Sequence, residues 1–592
     1  MTPDVDSLSE PTQPRQHATL SCLPASGLPA EDLHDHEARV ICEFDVPGRM
    51  RDGVTLRANV YRPEGAGPWP TLLTRTPYGK NLPGDVLELG LDPVQAARRG
   101  FMVVIQDTRG RSASEGEWEP FRFERDDGYD TVEWAAKLPG SNGRVGMYGS
   151  SYCGITQWLA AIERPPSLAA ISPVATPSEP MDGLLTRRGA VELGLAVPWT
   201  LVTGLDYLGR LGLGDSETQR RVNAVVDEWD RMGEDGYWDL PVHDMELLRR
   251  HGLSGVGLIH AGDDPERVAS CRVAGSHEKV EVPSFHTAGW YDIFLQGTLD
   301  NYQAMSEQGH ESRLIVGPWT HETFADPIGE QSFGMRAGRA GLPVHAHGDV
   351  NDLHLAWFGR HLLLDFNVAL PEAPVRLFVM GRNEWRDEPA WPVQRAVHER
   401  RFLRSGGCLA TTSPEAGETP SEFVYDPANP VLTVGGNTLE WAGYPAGPMD
   451  QAKVESRDDL LIFTSEPMEE DFEVTGRVRV ILHAESSATS TDWVARLCDV
   501  HPDGRSLNLC DGILRVGSGA QTCARYEIDL WSTSNVFLRG HRLRVHVTSS
   551  SFPRWDRNLN TGNQRESRHD VARQRIYHDA ARPSYIELPV IK

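Results

Sequence analysis

The feature that most constrains the fold is a glycine-flanked turn at 149–154, with the sequence GSSYCG. It lies between a strand-like run at 144–148 and a helix-like run at 155–161. A serine on a sharp turn of this kind stands clear of the sheet, and the backbone N–H groups at the helix start surround it. The spacing leaves Ser150 and Ser151 both open as nucleophiles, although Ser151 gives the more usual glycine position before it. The turn therefore predicts a strand–turn–helix unit that presents a reactive serine.

Strand-like and helix-like runs alternate on both sides of this turn. The run 101–107 is apolar almost throughout, which is typical of a strand covered on both faces of a parallel sheet. The segment 127–138 places apolar residues on one helical face and leads into the strand before the turn. Further strand-like runs are 69–75, 168–174, 282–288 and 313–316. The alternation predicts α/β layers around a largely parallel sheet.

The pattern changes twice along the chain. Helix-like stretches at 216–231 and 240–251 replace strands in the middle, which predicts a helical insertion over the carboxyl ends of the strands. Short alternating strands, beginning at 375–379, follow in the last third and predict an all-β sandwich of the jelly-roll type. The predicted division is a polar N-terminal extension at 1–37, a catalytic domain at 38–180 and 276–363, a helical cap at 181–275 and a β domain at 364–592.

Composition excludes two classes of function. The net charge of −26 repels nucleic acid, and no run approaches the roughly 18 apolar residues that a membrane span needs. The eight cysteines have no metal-ligand spacing, so we expect free thiols in a reducing compartment and a cytoplasmic location. The first residues lack the basic start and apolar core of a secretion signal.

A serine nucleophile needs a base and an orienting carboxylate. Asp292 follows the strand-like run 282–288, and His321 follows the run 313–316. The chain order Ser, Asp, His is that of α/β-hydrolases, whose acid and base follow later strands. His286, which lies within the earlier of these two runs, is expected to be a core residue.

Hydrolysis also needs donors for the oxyanion. The backbone N–H of Tyr152 is the natural first donor, because it follows the nucleophile directly. Tyr78 ends the first sheet strand, and its hydroxyl is open as a second donor or as a packed turn residue. Asp107 and Arg109, in a loop after a buried strand, are expected to hold that loop through ion pairs.

Several ordered motifs together resemble one known family. They are TPY at 76–78, QDTRG at 106–110, SEG at 114–116, GSSYCG at 149–154, GWYD at 289–292, GPWTH at 317–321, YDPANP at 425–430 and SFPRWDRN at 551–558. These motifs are similar to those of the cocaine esterase family of serine hydrolases. That family also contains X-prolyl dipeptidyl peptidases, α-amino acid ester hydrolases and glutaryl-cephalosporin acylases. The resemblance covers nearly the whole chain after about residue 40.

The resemblance implies a fold and a set of roles. The fold is an α/β-hydrolase domain with an inserted helical cap, followed by a jelly-roll domain. The implied nucleophile is Ser151, the acid is Asp292 and the base is His321. The implied oxyanion donors are the Tyr78 hydroxyl and the Tyr152 N–H. No metal and no organic cofactor are expected.

The substrate class is narrowed by the residues around the turn. The segment 155–158 after the nucleophile is more similar to the cocaine esterase type, and this resemblance implies an aromatic wall for an apolar acyl group. Trp158 in this segment and Trp199 in the cap are the candidate substrate contacts. The expected substrate is a small-molecule ester or amide, and an ester hydrolase is favoured over a peptidase. Acidic cap residues that would hold a substrate ammonium are expected on solvated helix faces instead; they are Glu192, Asp206, Asp215, Glu217 and Asp227.

Three alternatives remain within the enzyme class and one outside it. The enzymatic ones are an amide-directed acylase, an α-amino acid ester hydrolase and an X-prolyl dipeptidyl peptidase. The other is a binding or scaffolding protein with a relic hydrolase domain. A homo-oligomer is compatible with the sequence.

Overall fold

The computed structural model describes residues 39–81, 91–338, 350–365, 370–440 and 443–592. The predicted N-terminal extension at 1–37 lies outside the described residues. Within the described parts of the chain, no helix is both long and apolar enough to cross a membrane.

A ten-stranded sheet forms the first domain. The first twelve strands of the chain are β1 (Val40–Arg49), β2 (Thr55–Pro63), β3 (Trp69–Thr76), β4 (Met102–Asp107), β5 (Ser141–Ser150), β6 (Leu168–Val174), β7 (Thr186–Arg187), β8 (Ala190–Val191), β9 (Ser284–Gly289), β10 (Ser312–Gly317), β11 (Val375–Val379) and β12 (Glu384–Glu388). The sheet order is β1-β2-β4-β3-β5-β6-β9-β10-β11-β12, while β7 and β8 pair as a separate hairpin. Within this sheet order, the seven neighbouring strands β4, β3, β5, β6, β9, β10 and β11 are parallel to one another. Strands β1, β2 and β12, which pair antiparallel with their neighbours, lie at the edges.

The helices cover this sheet and build the cap. In the described residues they are α1 (Pro93–Arg98), α2 (Glu124–Ala135), α3 (Ser151–Ile162), α4 (Leu193–Gly209), α5 (Asp215–Arg231), α6 (Glu246–Arg250), α7 (Pro265–Ser270), α8 (Leu295–Glu307), α9 (Val350–Leu362) and α10 (Ala452–Glu455). Helices α4 to α7 lie in the predicted insertion. A turn of π-helix, Met232–Gly236, continues α5, and short 3-10 turns are Val242–Asp244, Ala261–Asp263, His277–Lys279 and Met335–Ala337.

The helix expected at 240–251 is shorter than predicted. Pro241 leads into a 3-10 turn, Met245 is extended, and only Glu246–Arg250 is α-helical. The carboxylate of Asp239 accepts a hydrogen bond from the backbone N–H of Leu247 at 2.8 Å, which satisfies a donor at the late helix start. The apolar period continues through the segment, but the proline removes one backbone donor and divides it.

The strand at 375–379 belongs to the first sheet and not to the β sandwich, which corrects its sequence assignment. It is β11, it is fully buried, and it pairs in parallel with β10. Helix α9 lies between β10 and β11 in the chain, so β10, α9 and β11 form a crossover of the βαβ type, as in the rest of the sheet. An isolated five-residue apolar run does not distinguish a parallel strand from a sandwich strand.

The C-terminal domain is all β apart from α10. Its strands are β13 (Val397–Arg404), β14 (Cys408–Ala410), β15 (Ser421–Tyr425), β16 (Leu461–Thr464), β17 (Phe472–Ser486), β18 (Thr491–Val500), β19 (Ser506–Val516), β20 (Ala524–Phe537), β21 (Arg542–Thr548), β22 (Ala572–Tyr577) and β23 (Tyr585–Ile591). They pair in the order β15-β22-β17-β23-β13-β14-β16-β21-β18-β19, with β20 against β17. This arrangement confirms the predicted fold class.

The two domains share one hydrophobic core. Trp290 and Phe378 of the first domain belong to the same buried cluster as Leu530 and Trp531 of the second. The backbone of Met380 bridges the domains, because its N–H donates to the Ser534 carbonyl at 3.0 Å. The β domain therefore packs against the loops that follow the central strands of the hydrolase sheet and supports them.

Candidate active site

The predicted site residues follow the carboxyl ends of neighbouring parallel strands. Tyr78 follows β3, Ser151 follows β5, Asp292 follows β9 and His321 follows β10. Strands β3, β5, β6, β9 and β10 are consecutive in the sheet. The last residues of β5 and β6, Ser150 and Val174, are register partners, and so are the last residues of β9 and β10, Gly289 and Gly317. The carboxyl ends of parallel strands are where open α/β sheets place their sites.

The backbone distinguishes the two candidate serines. Ser150 is extended, with φ −103° and ψ 161°, and it precedes helix α3 without a side-chain cap hydrogen bond. Ser151 begins the helix with φ +55°, in the left-handed region that a non-glycine residue occupies only where the surroundings hold it. This is the strained conformation expected of a serine on a nucleophile elbow.

The glycine spacing of the elbow has a steric cause. A Cβ on Gly154 would lie 2.2 Å from Cγ2 of Thr176, whereas Cys153 fits in the core. Gly149 has φ +132°, and a Cβ there would lie 2.7 Å from Cβ of Cys153. Helix α3 therefore packs against the segment after β6 at Gly154, which explains why the second glycine comes one residue later than in the common pattern.

Asp292 and His321 are joined directly. Nδ1 of His321 lies 3.0 Å from Oδ2 of Asp292, and the aspartate is completely buried. The other carboxylate oxygen accepts a hydrogen bond from the backbone N–H of Phe294 at 2.6 Å. Since a carboxylate accepts, this contact assigns the proton of a neutral imidazole to Nδ1 and makes Nε2 the basic nitrogen. The ring of Phe294 meets the imidazole edge to face, with centroids 5.3 Å apart.

Tyr152 is anchored through its side chain. Its hydroxyl accepts from the backbone N–H of Phe121 at 3.0 Å and donates to Oε1 of Glu124 at 2.9 Å. Glu124 also forms a buried ion pair with Arg75. Burial raises the pKa of the Tyr152 hydroxyl well above its usual range, so that group stays protonated. The phenol holds the residue in place, and the backbone N–H belongs to the first turn of α3, where helical N–H groups have no intrahelical acceptor.

Tyr78 packs against the same aromatic cluster. Its hydroxyl oxygen accepts a hydrogen bond from the indole N–H of Trp199 at 3.1 Å. The rings of Trp199 and Tyr152 stack with centroids 6.3 Å apart, and the ring of Phe121 also stacks on Tyr152, with centroids 4.4 Å apart. Phe294 belongs to this cluster as well. The cluster thus connects the elbow, the tyrosine after β3 and the loop of the acid.

Trp158 lies elsewhere. It is completely buried in a second core cluster, between His277 and His286, and its indole N–H donates to Oγ1 of Thr176 at 3.3 Å. On helix α3 it comes seven residues after Ser151, facing the sheet and not the aromatic cluster of Tyr152. This burial argues against Trp158 as a substrate contact.

The loop after β4 holds its shape through ion pairs, as expected. Asp107 accepts from the Lys80 backbone N–H at 2.7 Å and pairs with its ammonium at 3.0 Å. Arg109 pairs with Asp127 at 2.6 Å. Arg111, which the sequence interpretation did not single out, donates to the carbonyl of Pro77 at 2.7 Å and to that of Thr203 at 2.8 Å. It ties the loop of Tyr78 to cap helix α4.

The β domain also contributes to the site, which sequence reasoning missed. The side-chain amide of Asn437 donates to the backbone carbonyls of Trp290 and Asp292, at 3.0 and 2.9 Å. Thr320, next to His321, donates to Oε1 of Glu440. The one available signal was that both residues fall in a glycine- and proline-rich connection, whose composition does not reveal its neighbours.

The acidic cap residues form contacts outside the aromatic cluster around Tyr152. Glu192 is buried and accepts from the indole N–H of Trp555 at 3.0 Å, and burial raises its pKa to about 6. Asp206 accepts from the backbone N–H of Ser112 at 3.1 Å. Asp215 and Asp227 are exposed on α5, where Glu217 pairs with Arg220 and Arg221.

Comparison with known proteins agrees with this architecture. Residues 52–323 match the X-Pro dipeptidyl-peptidase (S15 family) domain, and residues 367–587 match the X-Pro dipeptidyl-peptidase C-terminal non-catalytic domain. Cocaine esterase from Rhodococcus sp. (strain MB1 Bresler) is 36% identical, over 92% of this chain and 97% of the relative. The chain belongs to the cocaine esterase-like family of serine hydrolases.

Solved structures extend the likeness to the whole fold. An α-amino acid ester hydrolase superposes with a TM-score of 0.76 at 25% identity, covering 98% of this chain and all of the other. An aminopeptidase from a marine sediment archaeon, Thaumarchaeota archaeon, shares the fold with a TM-score of 0.70 at 24% identity, covering 97% of this chain and 99% of the other. The family membership confirms that this member is a serine carboxylic ester hydrolase.

Proposed function

We propose that this family member cleaves its ester through an acyl-enzyme formed on Ser151. His321 accepts the hydroxyl proton through Nε2 as the serine oxygen attacks the carbonyl carbon, and Asp292 stabilises the imidazolium that results. His321 then donates the proton to the leaving alcohol. A water activated by the same histidine attacks the acyl-enzyme and releases the acid.

The oxyanion of each tetrahedral intermediate is assigned to two donors. One is the backbone N–H of Tyr152 at the start of α3, and the other is the hydroxyl of Tyr78. The indole N–H of Trp199, which donates to the Tyr78 oxygen, leaves the tyrosine hydrogen for a different acceptor. This polarity supports a donating role for Tyr78.

The observation that carries the proposal is the left-handed backbone of Ser151, with φ +55° at the first residue of a helix. A conformation of this cost persists where the fold fixes it, and such positions concentrate at reacting groups. The Asp292–His321 pair two and three strands along the sheet supplies the base that this serine requires.

An apolar acyl group is the favoured substrate part. Trp199, Phe121 and Phe294 surround Tyr152 in one hydrophobic cluster, with the partly buried Tyr78 against it. A buried cation would need an available carboxylate beside this cluster. Glu124, which accepts from Tyr152, is already paired with Arg75, and the acids of the cap are held elsewhere. The cocaine esterase relative supports an ester over an amide.

One observation favours a second candidate, an α-amino acid ester. Oε2 of Glu440 is buried and has no hydrogen-bond partner among the described residues, while Oε1 is bonded to Thr320 beside His321. A carboxylate oxygen so placed would suit a substrate ammonium. The α-amino acid ester hydrolase of similar structure supports this alternative.

Two serine variants test the nucleophile. We expect Ser151→Ala to abolish hydrolysis of a nitrophenyl butyrate and labelling by a fluorophosphonate, with the protein still folded. Ser150→Ala is the matched control and should keep both. Labelling of Ser150 in a peptide map, or turnover by Ser151→Ala above the buffer rate, would contradict the mechanism.

A substrate panel separates the two candidates. The rates on a phenylacetyl ester, a phenylglycine ester and the corresponding amides should be compared in wild type and Glu440→Gln. A selective loss on the α-amino ester would favour the second candidate, and a uniform response the first. The domain boundaries, a cytoplasmic location and homo-oligomerisation stay predictions from the sequence.

A further inference from the structure

A cavity of about 190 Å³ lies at the junction of the two domains. Tyr291, Phe333 and Met380 of the hydrolase domain form one wall, and Leu507 and Leu538 of the β domain form another. Such cavities at domain junctions, apolar apart from a few converging polar groups, are typical of ligand sites.

Three metal-ligating side chains converge on this cavity. Asp499 lies near the end of β18, His501 follows that strand, and His541 directly precedes β21. Each offers a ligand atom, and these atoms all lie within 4.8 Å of one another. In the described part of the chain, this is the single group of three or more histidine, cysteine and acidic side chains with that geometry.

The separations approach those of a coordination shell. Nδ1 of His541 is 2.8 Å from Oδ1 of Asp499, and Nε2 of His501 is 3.9 Å from Oδ2 of the same carboxylate. Bonds of about 2.0–2.1 Å to nitrogen and oxygen put ligand atoms of a tetrahedral zinc ion about 3.3 Å apart. The two observed distances are to different oxygens of the carboxylate and lie on either side of that value, and one ligand atom from each residue lies within 4.8 Å of the others, so side-chain rotations that bring them together would admit the ion.

The surroundings support a site that is held in place. The exposed side-chain fractions are 7% for Asp499, 18% for His501 and 11% for His541, so one carboxylate and two imidazoles are enclosed together. The amide of Asn535 reaches Oδ2 of Asp499 at 3.5 Å, which helps to orient the carboxylate. The two imidazole rings lie 4.4 Å apart, centroid to centroid.

A further oxygen faces the same cavity. Oδ1 of Asn383 is buried and has no hydrogen-bond partner among the described residues. Buried polar atoms are nearly always satisfied, so an unpaired one at a cavity wall indicates a missing partner such as an ion or its bound water. Asn383 belongs to the loop between β11 and β12, on the hydrolase side of the junction.

We propose that Asp499, His501 and His541 bind a divalent transition-metal ion of the zinc class at the domain junction. Two imidazoles and one carboxylate are the ligands such ions take, whereas calcium and magnesium prefer oxygen alone. The residues belong to no part of the ester-cleaving machinery, and the role that we assign to the ion is structural. Through these ligands the ion would connect the end of β18 to the start of β21. Tyr291, the neighbour of Asp292, lines the same cavity.

The test is zinc binding to the full chain after treatment with a chelator. We expect calorimetry to give one Zn²⁺ per chain and at least about 10–100-fold weaker binding in His501→Gln. His501 is the best position because it makes no short hydrogen bond that the variant would lose. Zinc at about 100 times its Kd should raise the Tm by roughly 2 °C in wild type and by less in the variant.

Two controls make the result decisive. His398→Gln removes a surface histidine that also lies near a carboxylate, 3.7 Å from Glu587, and should leave zinc affinity unchanged. The His321–Asp292 pair is present in every variant, so zinc bound there would persist in His501→Gln. Asp499→Asn, which keeps the volume, checks the site independently if His501→Gln is unstable. Equal affinity in wild type and His501→Gln, or no zinc bound by wild type, would overturn the proposal.

Discussion

The indole N–H of Trp199 donates a hydrogen bond to the hydroxyl oxygen of Tyr78 at 3.1 Å. Trp199 belongs to cap helix α4, and Tyr78 to the loop after β3. One contact therefore joins the cap to the group assigned to the oxyanion. A phenol that accepts a hydrogen bond becomes a better donor, because hydrogen bonds in a chain polarise one another.

Removal of the Tyr78 hydroxyl should slow the chemical step. We expect Tyr78→Phe to lower kcat by about 10- to 1000-fold with little change in KM, since the hydroxyl acts on charge that develops after binding. Steady-state rates on a nitrophenyl ester measure this. An undiminished kcat would remove Tyr78 from the oxyanion site.

Trp199→Phe should have a smaller effect through the same hydroxyl. The ring that stacks on Tyr152 is largely kept, while the donor to Tyr78 is lost, and one hydrogen bond corresponds to about a two- to tenfold decrease in kcat. In the Tyr78→Phe background the acceptor is already absent, so Trp199→Phe should add little. Additive losses in this double-mutant cycle would show that Trp199 acts independently of the Tyr78 hydroxyl.

The architecture of this chain was predictable because local signals agree with the global fold. The strand at 168–174 was predicted to the residue, and the positions of Asp292 and His321 followed from the ends of two strands. The local sequence around the turn does not decide between Ser150 and Ser151. The choice depends on a left-handed backbone that packing at Gly149 and Gly154 imposes, and on the family motif.

Other parts of the site were not predictable in the same way. Asn437 and Glu440 reach the loops of Asp292 and His321 from a different domain, more than a hundred residues away in the chain. The resemblance of residues 155–158 to the cocaine esterase type implies a substrate wall at Trp158, but the helical period turns this side chain into the core. These tertiary contacts depend on how secondary-structure elements pack together, and the local pattern around each residue does not reveal them.

The close packing of the elbow gives a test of compensation. Gly154→Ala should destabilise the protein by about 1–3 kcal/mol, because its Cβ would lie 2.2 Å from Cγ2 of Thr176. Thr176→Ser removes that methyl group and keeps the hydroxyl that accepts from Trp158. We expect the double variant to regain part of the lost stability in urea unfolding. A double variant no more stable than Gly154→Ala would place the strain elsewhere.

His286 should make stability depend on acid pH. Burial lowers its pKa to about 3, so the folded protein holds it neutral while the unfolded chain protonates it near pH 6.5. The unfolded state therefore binds more protons between those values, and stability falls as the pH drops from about 6.5 to 3, by about 1.4 kcal/mol per pH unit. The variant His286→Gln should reduce that slope in unfolding measured at several pH values. An unchanged slope would mean that other groups carry the acid sensitivity.

Arg515 of β19 is linked through Asp556 to β8, which lies at the start of the cap. It pairs with Asp492 at 2.7 Å and with Asp556 at 2.9 Å, and Asp556 accepts from the backbone N–H of Val191 at 2.7 Å. Arg515→Met leaves two buried carboxylates without their cation, so we expect a loss of about 3–5 kcal/mol in the free energy of unfolding. Arg505→Met is the matched control, because its pair with Asp503 is exposed and its loss should leave stability unchanged. Equal effects of the two substitutions on denaturant unfolding would contradict the assignment of Arg515 as the structural link between β19 and the segment that leads into α4.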